Sequence, residues 1–206
     1  MKDQAERQTW RVDVEGYPLD LPIVPINDEL AISLMMVIDL GVKFGAHVGT
    51  ELARKIVPLE PDIIVGPATL GIPVAIEVTR ALGLDDYVVL QKSPKLHLSD
   101  ALVQTLTSIT SKGEQRILLD RAAIPLIEGK RVVVVDDVVA SGSSLKGALE
   151  LVRQAGGNVV GAGVILTEAQ DWRETLGADV ETLVSLGHIP QFQPDAQGRW
   201  TPIPGT

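Results

Sequence analysis

Apolar and polar positions follow two rhythms along this chain. Short apolar runs, the pattern of strands buried on both faces, recur at residues 62–65 (DIIV), 87–90 (YVVL), 131–135 (RVVVV) and 158–166 (NVVGAGVIL), and one more strand is predicted over 180–186. Between them, residues 72–82 (IPVAIEVTRAL) and 143–155 carry helical spacing. Pro73 is tolerated in a first helical turn, Gly83 stops that helix, and Gly156-Gly157 punctuate the other. Strand and helix in alternation predict an α/β domain with a mainly parallel twisted sheet flanked by helices.

Two regions break the rhythm. Residues 29–57 are long and apolar and read as helix, broken or bent near Gly41 and Gly45. Residues 93–121 separate two core strands without a convincing buried helix, and alternation in 101–108 and 115–119 predicts a hairpin there. A long excursion from the C-terminal edge of a sheet is the usual form of a lid.

Composition narrows the class. At 206 residues with 45% apolar and 22% charged positions, the chain is expected to form a single domain (1–206) with its own core and no disordered tract. Eighteen Lys and Arg against 27 Asp and Glu give a net charge of −9, which argues against nucleic-acid or anionic-membrane partners. The cysteine count of zero removes disulfides, thiolate metal sites and Cys nucleophiles, and suits a cytoplasmic protein. Residues 1–10 are charged, so no signal peptide is expected, and no apolar run reaches membrane-span length.

The candidate chemistry lies beyond the strand ends, where ligands collect in an open parallel sheet. After the valine strand come Asp136-Asp137, two small apolar positions, then Ala140-Ser141-Gly142-Ser143-Ser144 and a helix. Paired acids at the end of a buried strand are costly unless something uses them. The small loop lets an anion approach backbone N–H groups at a helix start, with serine hydroxyls in reach. Together they ask for a ligand with vicinal hydroxyls and a phosphate, such as a ribose 5-phosphate. Residues 66–71 (GPATLG) form a second loop suited to an anion, although they lack the Lys-Ser/Thr of a nucleotide-triphosphate loop.

These residues resemble the type I phosphoribosyltransferases, and the adenine/xanthine branch in particular. Residues 132–144 (VVVVDDVVASGSS) resemble the phosphoribosyl pyrophosphate (PRPP) signature, GPATLGIP the pyrophosphate loop, 90–96 (LQKSPKL) the basic strand end, and 107–118 (TSITSKGEQRIL) the mobile catalytic loop. Residues 27–35 (NDELAISLM) and 159–176 are similar to the bacterial xanthine enzyme. The likeness covers about residues 27–189, leaving N- and C-terminal extensions. It implies the family fold, with a mobile hairpin lid and a small hood from the terminal segments. It also implies a purine phosphoribosyltransferase that uses Mg²⁺ and works as a homodimer.

By the same resemblance, Asp136 and Asp137 take the ribose hydroxyls, and Ala140, Ser141, Gly142, Ser143 and Ser144 the 5-phosphate. Ala68, Thr69, Leu70 and Gly71, with Lys92 and Lys95, hold pyrophosphate, and Glu114 handles a proton. The Mg²⁺ is held mainly through PRPP and water, with no direct protein ligand. Asn27 and Glu168 contact the base, although Asn27 could instead cap the long helix predicted from residue 29. Glu168 and Gln170 stand where the xanthine enzyme has a Lys and an aromatic residue, so an amino-bearing purine should be favoured over xanthine. Two other classes remain. One is a PRPP-sensing regulator, for which the 26 residues before Asn27 leave too little chain for a winged helix. The other is a relative with a non-purine acceptor.

Overall fold

The computed structural model describes residues 8–93, 101–106 and 115–206. The chain begins with strands β1 (Thr9–Val14), β2 (Tyr17–Pro25) and β3 (Ala31–Ser33), then helix α1 (Gly41–Ile56). β4 (Ile63–Pro67), α2 (Gly71–Leu82) and β5 (Tyr87–Leu90) follow, then β6 (Leu102–Leu106), β7 (Gln115–Leu119) and the short α3 (Ile124–Ile127). Next come β8 (Arg131–Val139), α4 (Ser143–Gln154) and β9 (Asn158–Glu168). The last elements are α5 (Trp172–Leu176), β10 (Leu183–Ile189), β11 (Gln191–Pro194) and β12 (Trp200–Pro202).

The central sheet is parallel, in the order β10-β9-β8-β4-β5. The valine run shows why a continuous apolar string belongs in such a sheet. Successive strand residues point to opposite faces. Val132 and Val134 join the core that contains Leu145, Leu149 and Val152 of α4. Val133 and Val135 join the core of Phe44, Leu52 and Ile56 from α1 and Val74 and Val78 from α2. Helices therefore cover both faces, and neither parity of the run can be polar.

A second sheet, antiparallel and in the order β1-β2-β3-β11-β12, builds the hood from both ends of the chain. Ile23, Ala31 and Phe192 form its small core, and Trp10 meets the Phe192 ring edge-on at 5.4 Å. The third element of the prediction, the hairpin, is β6 paired antiparallel with β7. Gln91 and Leu118 exchange backbone hydrogen bonds of 2.9 and 2.8 Å, tying β7 to the end of β5. Among the described residues no helix is long and apolar enough to cross a membrane.

Two expectations need correction. Residues 29–57 are not one broken helix. Ala31 and Ser33 are buried with Ile32 between them less so, and β3 pairs with both β2 and β11. Pairing on two sides overrides the helical propensity of the segment. The helix begins only at Gly41 and runs through Gly45 without interruption. The strand expected over 180–186 starts later, at Leu183, because a 3₁₀ segment occupies Gly177–Thr182.

Candidate functional site

The sheet's connections place the site. From β4 the chain steps through α2 to β5 on one side, and from β8 it steps through α4 to β9 on the other. The strand order thus reverses between β4 and β8, where open α/β sheets bind ligands. Those two strands pair only over Ile63–Val65 and Val132–Val134. Beyond that, Gly66 and Pro67 pair with β5 while Asp136, Val138 and Val139 pair with β9. A crevice opens between the diverging ends, with one small-residue loop on each side.

Asp136 sits at its base, 7% exposed, with one carboxylate oxygen accepting the Asp137 N–H at 2.9 Å. It lines a hollow of about 160 Å³ with residues 138–142, Ser144 and Leu145. Acid and loop therefore share one cavity. Burial, and then the neighbouring Asp137 charge, push the Asp136 carboxyl well above the usual carboxylate range, although Lys92 opposes them. Asp137 is raised as well, mainly by burial, with the Val138 N–H opposing. Two acids largely withdrawn from water, with the Lys92 ammonium near both, are poised to accept hydroxyl hydrogens or to face a cation.

Each loop has a steric reason for its glycine. A Cβ on Gly71 would lie 2.9 Å from Asp136 Oδ1 and 2.9 Å from Pro67 Cδ, so the 67–71 loop rests directly against the acid. The Ala68–Thr69 peptide in that loop is cis, and Ala68 N–H donates to the Leu90 carbonyl at 2.7 Å. Gly142, at φ +79°, would bring a Cβ to 3.1 Å from the Trp172 carbonyl. Trp172 is buried and donates its indole N–H to the Ala169 carbonyl at 3.0 Å, so it is a packing residue beneath the loop.

Ser144 points to the ligand most directly. Its hydroxyl is buried and has no hydrogen-bond partner among the described residues. An orphaned hydroxyl at the first turn of α4, in a residue that lines the same hollow as Asp136, matches a phosphate oxygen. Ser141 and Ser143 lie nearer solvent, with their hydroxyls 3.4 Å apart. Ser144→Ala is therefore expected to change the melting temperature of the free protein by less than the equivalent of about 1 kcal/mol, because no bond is lost. Affinity for a phosphate-bearing ligand should fall about tenfold. Thermal melts with and without ligand check both halves.

The other predicted positions are distributed unevenly. Lys92 is exposed just past β5 and close enough to lower both acids. Lys95 and Glu114, and the neighbouring His97, lie outside the described residues. Asn27 is exposed in the β2–β3 turn, and its side-chain oxygen accepts the N–H groups of Glu29 and Leu30 at 2.8 and 2.9 Å. It caps that turn and not a long helix, which starts fourteen positions later at Gly41. Glu168 ends β9 and is 5% exposed, and burial raises its carboxyl. Sequence reasoning missed its partner Gln191, which donates Nε2–H to Glu168 Oε1 at 3.2 Å. It also missed Gln104 of β6, which donates to Glu150 of α4 at 2.8 Å and anchors the hairpin to that helix. Neither glutamine stands in a local pattern that marks it.

A parallel sheet open at its switch point, with an acid pair near the end of one strand, a small-residue loop on each side of the crevice and a second sheet built from both chain ends, is the type I phosphoribosyltransferase fold. Residues 45–191 match the phosphoribosyl transferase domain family, and the chain belongs to that family. It is 31% identical over 152 residues to a xanthine phosphoribosyltransferase of Geobacillus thermodenitrificans, covering 73% of each chain. Over 136 residues it is 32% identical to an orotate phosphoribosyltransferase of Caldanaerobacter subterraneus, covering 66% of this chain and only 60% of that relative's length. Among solved structures it is similar to an adenine phosphoribosyltransferase of Thermoanaerobacter pseudethanolicus. The TM-score is 0.69 at 22% identity, covering 81% of this chain and 94% of the other.

Proposed function

We propose that the protein is a purine phosphoribosyltransferase: a ring nitrogen of the base attacks C1′ of PRPP, pyrophosphate leaves, and a nucleoside monophosphate forms with inversion. The observation that carries this reading is the single hollow lined by both Asp136 and Ser144. The acids accept from the ribose diol, and residues 140–144 surround the 5-phosphate with N–H groups and hydroxyls. Across the crevice, Ala68, Thr69, Leu70 and Gly71 receive the pyrophosphate, with Lys92 and Lys95 neutralising it. By resemblance, the segment carrying Glu114 would exclude water that could otherwise hydrolyse the donor. Glu114 manages a proton at the leaving group or the base.

The acid pair suits Mg²⁺. By resemblance the ion would be held mainly through PRPP oxygens and water, with Asp136 and Asp137 as the nearby protein acids. Bound there, it supplies positive charge against the pyrophosphate and relieves the mismatch with a chain of net charge −9. By resemblance the chain is expected to act as a homodimer.

By resemblance the buried acid Glu168 meets the base, and on that reading a purine is favoured over orotate. Orotate would bring a second carboxylate toward it. Incubation with Mg²⁺, PRPP and a panel of bases, reading pyrophosphate release, tests the assignment. An amino-bearing purine should be used best. Preference for orotate or xanthine would contradict the acceptor assignment, and donor binding without release would favour a sensor.

A further inference from the structure

Glu168 is the buried acid that the donor does not use. It closes β9, one strand away from the acid pair on β8. Burial raises its carboxyl, and the one opposing influence is the Gln191 N–H. The charged or titratable groups on neighbouring elements are otherwise engaged. His188 of β10 bonds Thr167 Oγ1 at 2.9 Å and the Thr206 carbonyl at 3.2 Å. Arg173 of α5 donates to Gln170 Oε1 at 2.6 Å and stacks over Trp172 at 4.5 Å. Asp136 and Asp137 of β8 are acids themselves. An ionised carboxylate offers about four acceptor sites, and among the described residues the Gln191 amide fills one of them.

Gln191 is held firmly enough to aim that amide. Its backbone N–H donates to Thr206 Oγ1 at 3.1 Å, and its carbonyl accepts from Ile203 N–H at 2.8 Å. It also stands opposite Ile32 in the β3–β11 pairing, so the hood fixes its position.

We infer that Glu168 and Gln191 form an acceptor-reading pair: Gln191 occupies Glu168 Oε1 and so presents the other carboxylate oxygen to an exocyclic amino group of the base. Glu168 touches the substrate, and Gln191 is a positioning residue. The inference rests on the transferase reading and deepens it, because it makes a hydrogen-bond donor on the base the feature selected. A ring carrying a carbonyl at that point would set lone pairs against lone pairs. The pair also makes acceptor use depend on pH. Glu168 must be ionised to accept, and Gln191 favours the ionised form, so removing Gln191 raises the pH at which acceptance begins.

The test measures kcat and KM for adenine and guanine against hypoxanthine and xanthine across pH, in the wild type, Gln191→Leu and Glu168→Gln, with PRPP binding followed by calorimetry in each. Gln191→Leu should raise KM for the best amino-bearing base about tenfold, with kcat little changed, as expected for one hydrogen bond to a charged group. It should also move the acidic limb of kcat/KM to higher pH. Glu168→Gln should shift preference toward an oxo-bearing base, because a carboxamide can donate where the carboxylate could only accept. Both variants should keep the heat of donor binding. An unchanged acceptor order in Glu168→Gln, or an unmoved acidic limb in Gln191→Leu, overturns the pair. Loss of donor heat in both variants also counts against it, since the pair would then support the fold. A wild type that turns over no base overturns the transferase reading and this inference with it.

Discussion

Asp136→Asn should abolish measurable PRPP binding at micromolar concentrations while raising the melting temperature of the free protein by a few degrees. The loss follows from the bonds a carboxylate accepts from a diol. Two charge-assisted bonds together contribute roughly 3–4 kcal/mol, or about 10²–10³-fold in affinity and in kcat/KM. The gain follows from burial. Asp136 is 7% exposed beside another acid, and its carboxyl is raised well above the ordinary range. A raised carboxyl keeps its proton in the folded state at pH values where the unfolded chain has released it, so stability falls as pH rises through that window. Asparagine does not titrate. The variant's advantage should therefore be small in acid and widen as pH climbs above the ordinary Asp range. Melting curves over a pH series, paired with donor titrations, read both effects. A variant that is less stable at neutral pH and still binds donor would show that Asp136 is a structural acid.

Gly142→Ala has the second largest expected effect. At φ +79° an L side chain is strained by about 1–2 kcal/mol. In addition, the new Cβ would lie 3.0 Å from Thr175 Cβ and 3.1 Å from the Trp172 backbone. Backbone cannot yield as a side-chain tip can, so the loop must shift. For a chain of this size the melting temperature should drop by about 4–10 °C, and donor affinity should fall by at least about tenfold as the N–H groups lose their aim. Gly198→Ala separates strain from crowding. Gly198 has a similar φ of +76° and nothing within 4 Å of a built Cβ. Its substitution should cost only the backbone term and leave donor binding as in the wild type. Equal losses in the two variants would remove the steric argument for the loop.

The parallel core could be read from the sequence because each of its strands states its environment locally. The residues of RVVVV that pack against α4 alternate with those that pack against α1 and α2, and only a strand covered on both faces needs that. The 136–144 segment was legible for the same reason, since acids, small loop and helix start adjoin in the chain and fold in that order. The hood was less legible. β3 is three residues long and owes its conformation to β2 and β11, the second of which lies far along the chain. The segment 29–57 kept its helical appearance because nothing within it signals that pairing. The cap that Asn27 suggests belongs to the turn into β3 and not to a long helix. Gln191 reaches Glu168 across 23 positions, and the contact of Gly71 with Asp136 spans 65, so neither leaves a trace in local spacing.

The central claim is that one pocket at the end of β8 grips a phosphorylated ribose. Calorimetric titration of PRPP with Mg²⁺ into the wild type and into an Asp136→Asn/Asp137→Asn double variant tests it most directly. The account predicts saturable heat in the wild type and none in the double variant, with the variant's melting curve showing an intact fold. Equal heat in both proteins, or none in the wild type, would contradict it.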